Sequence, residues 1–175
     1  MPGIDDILLF RPLNFAVLTI SDEGSTQENE SGDSLVDRIA NAGHAISERR
    51  LIKSDTAKIA AQVKAWAPLD GIDVILTLGG VGMTENDGAV DVLKSAFDKT
   101  LIGFPILFHH LQSGLEAFAS LQWRVCAGLV DGTFVFCLPS DIAAAEKAWD
   151  EILSGALDSR YRPSSLVDLI PRLKE

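Results

Sequence analysis

The stretch Asp73-Val74-Ile75-Leu76-Thr77-Leu78-Gly79-Gly80-Val81-Gly82-Met83-Thr84-Glu85-Asn86-Asp87 joins a short apolar run to a glycine-rich loop that closes on an acid. A continuous apolar run of this length, bounded by polar residues, has the pattern of a strand buried on both faces. Gly79, Gly80 and Gly82 carry no Cβ and tolerate positive φ, so backbone N–H groups in the loop can approach an anion closely. Asp87 stands where a carboxylate could hold a metal. The loop lacks the Lys-Ser/Thr ending of a Walker A loop and the spacing of a GxGxxG fingerprint, so it points to neither an NTPase nor a nicotinamide enzyme. On its own it reads either as a ligand site or as a tight turn from strand to helix.

Working outward, Asn14-Phe15-Ala16-Val17-Leu18-Thr19-Ile20 is a second buried-strand run. After a loop over 21–30, apolar spacing predicts a helix over 31–42, stopped by Gly43, and then a strand over 44–52. Ser54-Asp55 can cap the next helix, in which Ile59, Val63 and Trp66 recur at helical spacing until Pro68. Strand and helix alternating through short loops imply right-handed crossovers and a mostly parallel sheet covered by helices, an α/β fold. Helices are expected over 88–97 and 106–120. The runs 123–129 and 133–138 then read as an antiparallel hairpin about Asp131-Gly132, and Pro139-Ser140-Asp141 opens an Ala-rich helix to residue 153. In such sheets ligands bind beyond the carboxyl ends of the strands. Three segments converge there: Thr19-Ile20-Ser21-Asp22, Lys53-Ser54-Asp55 and residues 79–87.

The chain has 175 residues, 47% apolar and 23% charged, which suits one globular domain with a sizeable core. Its formal charge of −10 repels nucleic acid and anionic membrane surfaces, leaving a small phosphorylated ligand held by local N–H dipoles and Mg as the accessible anionic partner. The N-terminus lacks a basic, apolar leader and no apolar stretch reaches about 18 residues, so a cytoplasmic protein without a membrane span is expected. Neither cysteine lies in a CxxC pair or at metal-ligand spacing, so zinc is not indicated. The hairpin register sets Cys126 across from Cys137, which permits a disulfide; two free thiols in a β core is the other reading. His109 and His110, adjacent on a helix, point in different directions and read as surface or interface residues.

Taken together, Leu18-Thr19-Ile20-Ser21-Asp22, Glu30-Ser31-Gly32, Gly79-Gly80-Val81-Gly82 with Thr84-Glu85 and Asp87, and Phe136-Cys137-Leu138-Pro139 resemble the MoaB/MogA family of molybdenum cofactor biosynthesis. The family pattern is TVSD, D-x-S-G, GGTG with a following acid, and LPGSP. The resemblance extends from about residue 11 to 174, and the tail Leu157-Asp158-Ser159-Arg160-Tyr161-Arg162-Pro163 is similar to the proteobacterial MoaB branch. It implies a three-layer α/β/α, molybdopterin-binding (MogA-like) fold, assembled as a homotrimer or homohexamer. It also implies an N-terminal extension over 1–13, the binding domain over 14–155, and a C-terminal tail over 156–175 packed on that domain or on a neighbour. Relatives of this fold adenylylate molybdopterin with Mg and ATP. Carried over by position, Asp87 is the metal-holding and catalytic acid, and Gly79, Gly80 and Gly82 supply N–H donors. Thr19, Ser21, Asp22, Ser31, Thr84, Glu85, Arg124, Pro139 and Ser140 line the same pocket. For Asp87 the plainer role is capping the helix after it, and for Arg124 an internal salt bridge.

The departures bear on activity. Val81 replaces the threonine of GGTG, and Ser54 stands at the position of an acid, with Asp55 beside it. Ala117-Phe118-Ala119 and Trp123 replace small polar residues, so Phe118 and Trp123 either pack the core or fill the pocket. Ser140-Asp141 loses the glycine of LPGSP and sets a carboxylate at a helix start. A phosphate within ~4 Å of it meets about 4 kcal/mol of repulsion at an effective dielectric of 20. Three readings follow: a MoaB-type protein that binds molybdopterin and supports adenylylation, a non-catalytic oligomeric subunit with a degraded pocket, or an unrelated phosphosugar or nucleotide enzyme on the same sheet, which the ordered motif matches disfavour.

Overall fold

In the computed structural model, which describes residues 2–22, 26–112 and 117–173, a short β1 (Gly3–Ile4) leads into β2 (Asn14–Ile20), α1 (Thr26–Asn41), β3 (Ala45–Ile52), α2 (Thr56–Trp66) and β4 (Val74–Leu78). The chain continues through α3 (Ala89–Ala96), β5 (Lys99–Thr100), α4 (Gly103–Leu111), α5 (Ala117–Ser120) and the hairpin of β6 (Cys126–Val130) and β7 (Thr133–Leu138). It closes with α6 (Ile142–Ala148), a π-helical turn at Trp149–Leu153, α7 (Ser154–Ala156), β8 (Tyr161–Arg162), a 3-10 turn at Leu166–Leu169 and α8 (Ile170–Leu173).

Six strands form one sheet in the order β3-β2-β4-β7-β6-β5. The first four run parallel, and β6 and β5 are antiparallel to their neighbours. Period-two alternation along the buried strands feeds two cores, one on each face. Phe15 and Val17 of β2, Leu76 and Leu78 of β4, and Phe134 and Phe136 of β7 pack with Leu35 of α1, Phe108 of α4 and Ala145 of α6. Ala16, Leu18, Ile75, Val135 and Cys137 face the other way, onto Ile59 and Val63 of α2 and Val90 and Leu93 of α3. Burying each large apolar side chain contributes roughly 1.5–3 kcal/mol, so both faces hold the sheet between helical layers. Chain order reverses between β2 and β4: β3 lies on the outer side of β2, while β4 and β7 extend the sheet the other way. That reversal opens a crevice beyond the carboxyl ends of β2 and β4.

The expected strands and the hairpin form, with Asp131 (φ 47°) and Gly132 (φ 75°) as its two-residue turn, but its first strand runs Cys126–Val130 rather than 123–129, because the Trp123 and Arg124 N–H groups bond to Ser120 and Val81 instead of to the sheet. Cys126 and Cys137 are cross-strand partners and both are free, buried thiols. The hydrogen bond to Cys137, together with burial, pushes the Cys126 thiol above its ordinary range. Three further expectations need correcting. The first helix begins at Thr26 rather than residue 31, because the polar residues ahead of Leu35 hold helical backbone without adding to the apolar pattern. The helix expected over 106–120 is two pieces: α4 starts at Gly103 and ends at Leu111, α5 covers Ala117–Ser120, and residues 113–116 lie outside the described part. The strand expected from His44 starts at Ala45. β5 and the small β1–β8 ladder, in which Ile4 pairs with Tyr161, are two-residue strands too short to leave a periodic signal. Among the described residues no helix is long and apolar enough to cross a membrane.

His44, 7% exposed, sits under the N-terminal segment. Its Nδ1 accepts the Leu13 N–H at 3.1 Å, and its ring lies 5.1 Å from that of Phe10 and 5.2 Å from that of Phe15. Burial lowers its pKa, outweighing the opposing charge of Asp158. Below about pH 6.5 the unfolded chain therefore binds a proton that the native chain refuses until its own lower pKa is reached. Stability falls across that window as pH falls. Asp158 is pushed up by burial but held lower overall by hydrogen bonds from Arg160, by the Arg160 charge and by the His44 charge, so its contribution is lost only on further acidification. Urea unfolding from pH 7 to 5 is expected to show declining stability in the wild type, with a shallower slope in His44→Asn; equal slopes would exclude His44 as the cause.

Candidate functional site

The glycine loop leaves β4 in the crevice. Gly79 (φ 98°) and Gly80 (φ 67°) are left-handed, a conformation that a Cβ disfavours. The Gly79 N–H donates to the Leu138 carbonyl at 2.9 Å, and a Cβ on Gly79 would lie 2.4 Å from the Ile20 carbonyl oxygen. The chain is thus threaded between the ends of β2 and β7 where only glycine fits. A Cβ on Gly80 would stand 2.7 Å from that of Ala89, so this glycine seats α3 against the loop.

Asp87 folds back beneath the loop it closes. Its Oδ2 accepts the Thr84 N–H at 2.9 Å and the Thr84 hydroxyl at 2.6 Å. A Cβ on Gly82 would meet that same oxygen at 2.5 Å, so the bare glycine makes room for the carboxylate. Burial pushes the Asp87 pKa up, but the Thr84 donors, the Gly82 N–H and the Arg124 charge together bring it below its ordinary value, keeping it ionised at neutral pH. The expected helix-cap role goes elsewhere: Gly88 is the N-cap of α3, without a side-chain cap bond, and Asp87 caps the loop itself.

Arg124 clamps this loop from the β6 side. Its backbone N–H donates to the Val81 carbonyl at 2.8 Å and its Nε to the Gly82 carbonyl at 2.8 Å. Nη1 bonds both carboxylate oxygens of Asp91 at 3.0 Å, and Nη2 donates to the Asp87 carbonyl. One guanidinium ties two loop carbonyls and the first turn of α3, a geometry that suits the planar fork of arginine.

A cavity of about 390 Å³ opens above the loop, a usual size for a small-molecule pocket. Gly79 to Gly82 and Asp87 form one wall, Gln122 and Trp123 a second, and Pro139 to Asp141 a third. Six of the sequence-predicted residues meet here: Gly79, Gly80, Gly82, Asp87, Pro139 and Ser140. The others lie around it. Thr19, Ser21 and Ser31 are buried where β2 and α1 meet, and the Thr19 hydroxyl lies against Gly32. Asp22 accepts the Ser54 N–H at 2.9 Å, joining the loops after β2 and β3, while Asp55 caps α2 through the Lys58 N–H at 3.1 Å. Thr84 and Glu85 are exposed on the outer turn of the loop.

The residues that depart from the family pattern have definite positions. Val81 is buried against the α2/α3 core while lining the cavity. Trp123 reaches the cavity wall and both cores, whereas Phe118 is 81% exposed and fills no pocket, which corrects the pairing of the two as pocket-filling residues. Asp141 caps α6, accepting the Ala144 N–H at 2.8 Å. Sequence reasoning missed Gln122, which gives no signal beyond its place next to Trp123, and the role of Asp91 as the partner of Arg124. An acid one turn into α3 could have suggested the latter. Among the described residues no cluster of three or more His, Cys, Asp or Glu side chains is placed to hold a metal.

Residues 16–159 match the family model described as a probable molybdopterin binding domain. The chain is 35% identical over 154 residues to molybdenum cofactor biosynthesis protein B of Escherichia coli (strain K12), spanning 88% of this chain and 91% of that protein. Its fold superposes on a crystal structure of molybdenum cofactor biosynthesis protein B with a TM-score of 0.81 at 24% identity, covering 93% of this chain and 96% of that one. It also superposes on the tungsten cofactor synthesizing protein MoaB from Pyrococcus furiosus, with a TM-score of 0.77 at 23% identity over 94% and 99% of the two chains.

Two glycine substitutions separate folding from site geometry. Gly79→Ala forces a Cβ onto a backbone oxygen in a left-handed conformation and is expected to lower stability by about 3 kcal/mol. Gly82→Ala meets only a side chain that can rotate, so it should cost about 1 kcal/mol through the lost Thr84 bonds while displacing the Asp87 carboxylate. Thermal unfolding of both variants checks this ordering; equal losses would contradict it.

Proposed function

We propose, from the premise that this chain belongs to the MoaB family of molybdenum cofactor biosynthesis proteins, that the cavity at the glycine loop is where it binds molybdopterin. The observation that carries the reading is the loop itself: left-handed glycines at the crevice beyond β2 and β4, held rigid by Asp87 and Arg124 beside a cavity of suitable size. Of the three glycines expected to supply N–H donors, only Gly80 would present its N–H to the ligand, because those of Gly79 and Gly82 are taken by the Leu138 carbonyl and the Asp87 carboxylate. Pro139 and Ser140 would close the opposite wall. Thr84 and Glu85 would form the rim. Thr19, Ser21, Asp22 and Ser31 would brace the floor, and Arg124 would act by positioning the loop.

Transfer of an adenylyl group from ATP to molybdopterin is the second reading, and the ionised Asp87 favours it. A Mg ion there would take one carboxylate and complete its shell with water and phosphate oxygens, a common arrangement for this ion. Against turnover stand Val81, which offers no hydroxyl, and Asp141, whose carboxylate occupies the start of α6. Binding without turnover is therefore the stronger reading, the role of a non-catalytic MoaB-like subunit. A cytoplasmic homo-oligomer, trimer or hexamer, completes the proposal. It is supported by exposed Ile102, Ile106 and Leu107 beside an apolar groove of about 510 Å³ between α4 and the C-terminal segment.

The test titrates the purified protein, its assembly checked by sedimentation, with molybdopterin alone and then with Mg and ATP, following adenylylated product. Saturable binding without product is expected. Product formation abolished by Asp87→Ala would establish the second reading, and absence of molybdopterin binding would overturn both.

A further inference from the structure

The cavity has an electrostatic character that its glycine loop does not suggest. Its lining includes the carboxylates of Asp87 and Asp141, and among the described residues no Lys, Arg or His side chain. Arg124, the cation beside the loop, is engaged by the Gly82 and Asp87 carbonyls and by Asp91, and it does not line the cavity. Asp141 makes one hydrogen bond through Oδ1, to the Ala144 N–H, and its carboxylate has no other protein partner among the described residues. Trp123 contributes a half-buried indole, steadied by Phe108 at a ring distance of 6.1 Å. A planar aromatic wall and a carboxylate with acceptor capacity to spare match a flat heterocycle rich in N–H donors. The same groups repel a phosphate dianion.

We propose, resting on the molybdopterin reading above, that Trp123 and Asp141 are the specificity-determining residues of this cavity. They take the aminopyrimidinone ring of a pterin and turn its phosphate ester out towards solvent. The ring stacks on the indole, and its amino and ring N–H groups donate to the Asp141 carboxylate. The phosphate is tolerated inside only when a divalent cation accompanies it. This selectivity belongs to this chain's own residues, since Trp123 and Asp141 stand on walls of the cavity outside the glycine loop.

The probes are a 6-(hydroxyalkyl)pterin, its phosphate monoester, and molybdopterin, each titrated without divalent cation by calorimetry. Trp123 fluorescence gives a second readout, because Trp66 and Trp149 are buried. The wild type should bind the phosphate-free pterin at least tenfold more tightly than the ester. Asp141→Asn keeps an oxygen for the Ala144 N–H, so α6 stays capped. It should weaken the phosphate-free pterin about tenfold and strengthen the ester. Trp123→Leu should weaken both about tenfold. Equal wild-type affinity for the matched pair, or selectivity unchanged in Asp141→Asn, would overturn the proposal while leaving the molybdopterin site standing. Failure of all three ligands to bind the wild type would overturn the site and this inference together.

Discussion

The close approach of Gly79 to the ends of two strands is the constraint from which the site follows. With its N–H on the Leu138 carbonyl and its missing side chain against the Ile20 carbonyl, the chain can leave β4 only in a left-handed conformation. That exit sends residues 80–87 across the crevice rather than straight into a helix. Everything nearby accommodates the path. Gly80 lets α3 close in, Gly82 admits the Asp87 carboxylate, and Arg124 reaches over from the start of β6 to bind two loop carbonyls. The loop is rigid because many weak contacts converge on it, each worth about 1 kcal/mol when lost.

The same residues that stabilise the fold set the character of the cavity. Arg124 offers the cavity no cation of its own, because its guanidinium is bound by Asp91 and by loop carbonyls, although its charge helps keep Asp87 ionised. Asp141 stabilises α6 by capping it, and in doing so sets a carboxylate in the cavity wall. Val81 fills part of the α2/α3 core. Substitutions that remove polar groups from the family pattern are thus good structural choices in their own right.

Much of this was legible in the sequence. The buried strands announced themselves as short apolar runs between turn residues, whereas the one core expected of a domain this size is in fact two, one on each face of the sheet. Asp55 and Asp141 were readable as caps from their place before helices, and the glycines from their spacing. What was not legible depended on contacts between distant residues. The bond of Asp87 to Thr84 rather than to α3, the clamp of Arg124 on Asp91, and the exposure of Phe118 arise from how the loop folds over the sheet end. Periodicity carries no information about such contacts. The missed start of α1 has a different cause, since a polar helix turn leaves no apolar trace.

The central claim, that a convergent clamp holds the loop in a preformed site, is tested most directly by amide hydrogen exchange at two positions. The Thr84 N–H is bonded to the Asp87 carboxylate, whereas the Gly79 N–H is bonded into the end of the sheet at Leu138. Lysine in place of Arg124 keeps the charge and the backbone bond to Val81 but cannot hold the Gly82 and Asp87 carbonyls and Asp91 at once. In Arg124→Lys the account expects Thr84 to exchange at least tenfold faster while Gly79 keeps its wild-type protection. Unchanged exchange at Thr84, or equal acceleration at both amides, would contradict it.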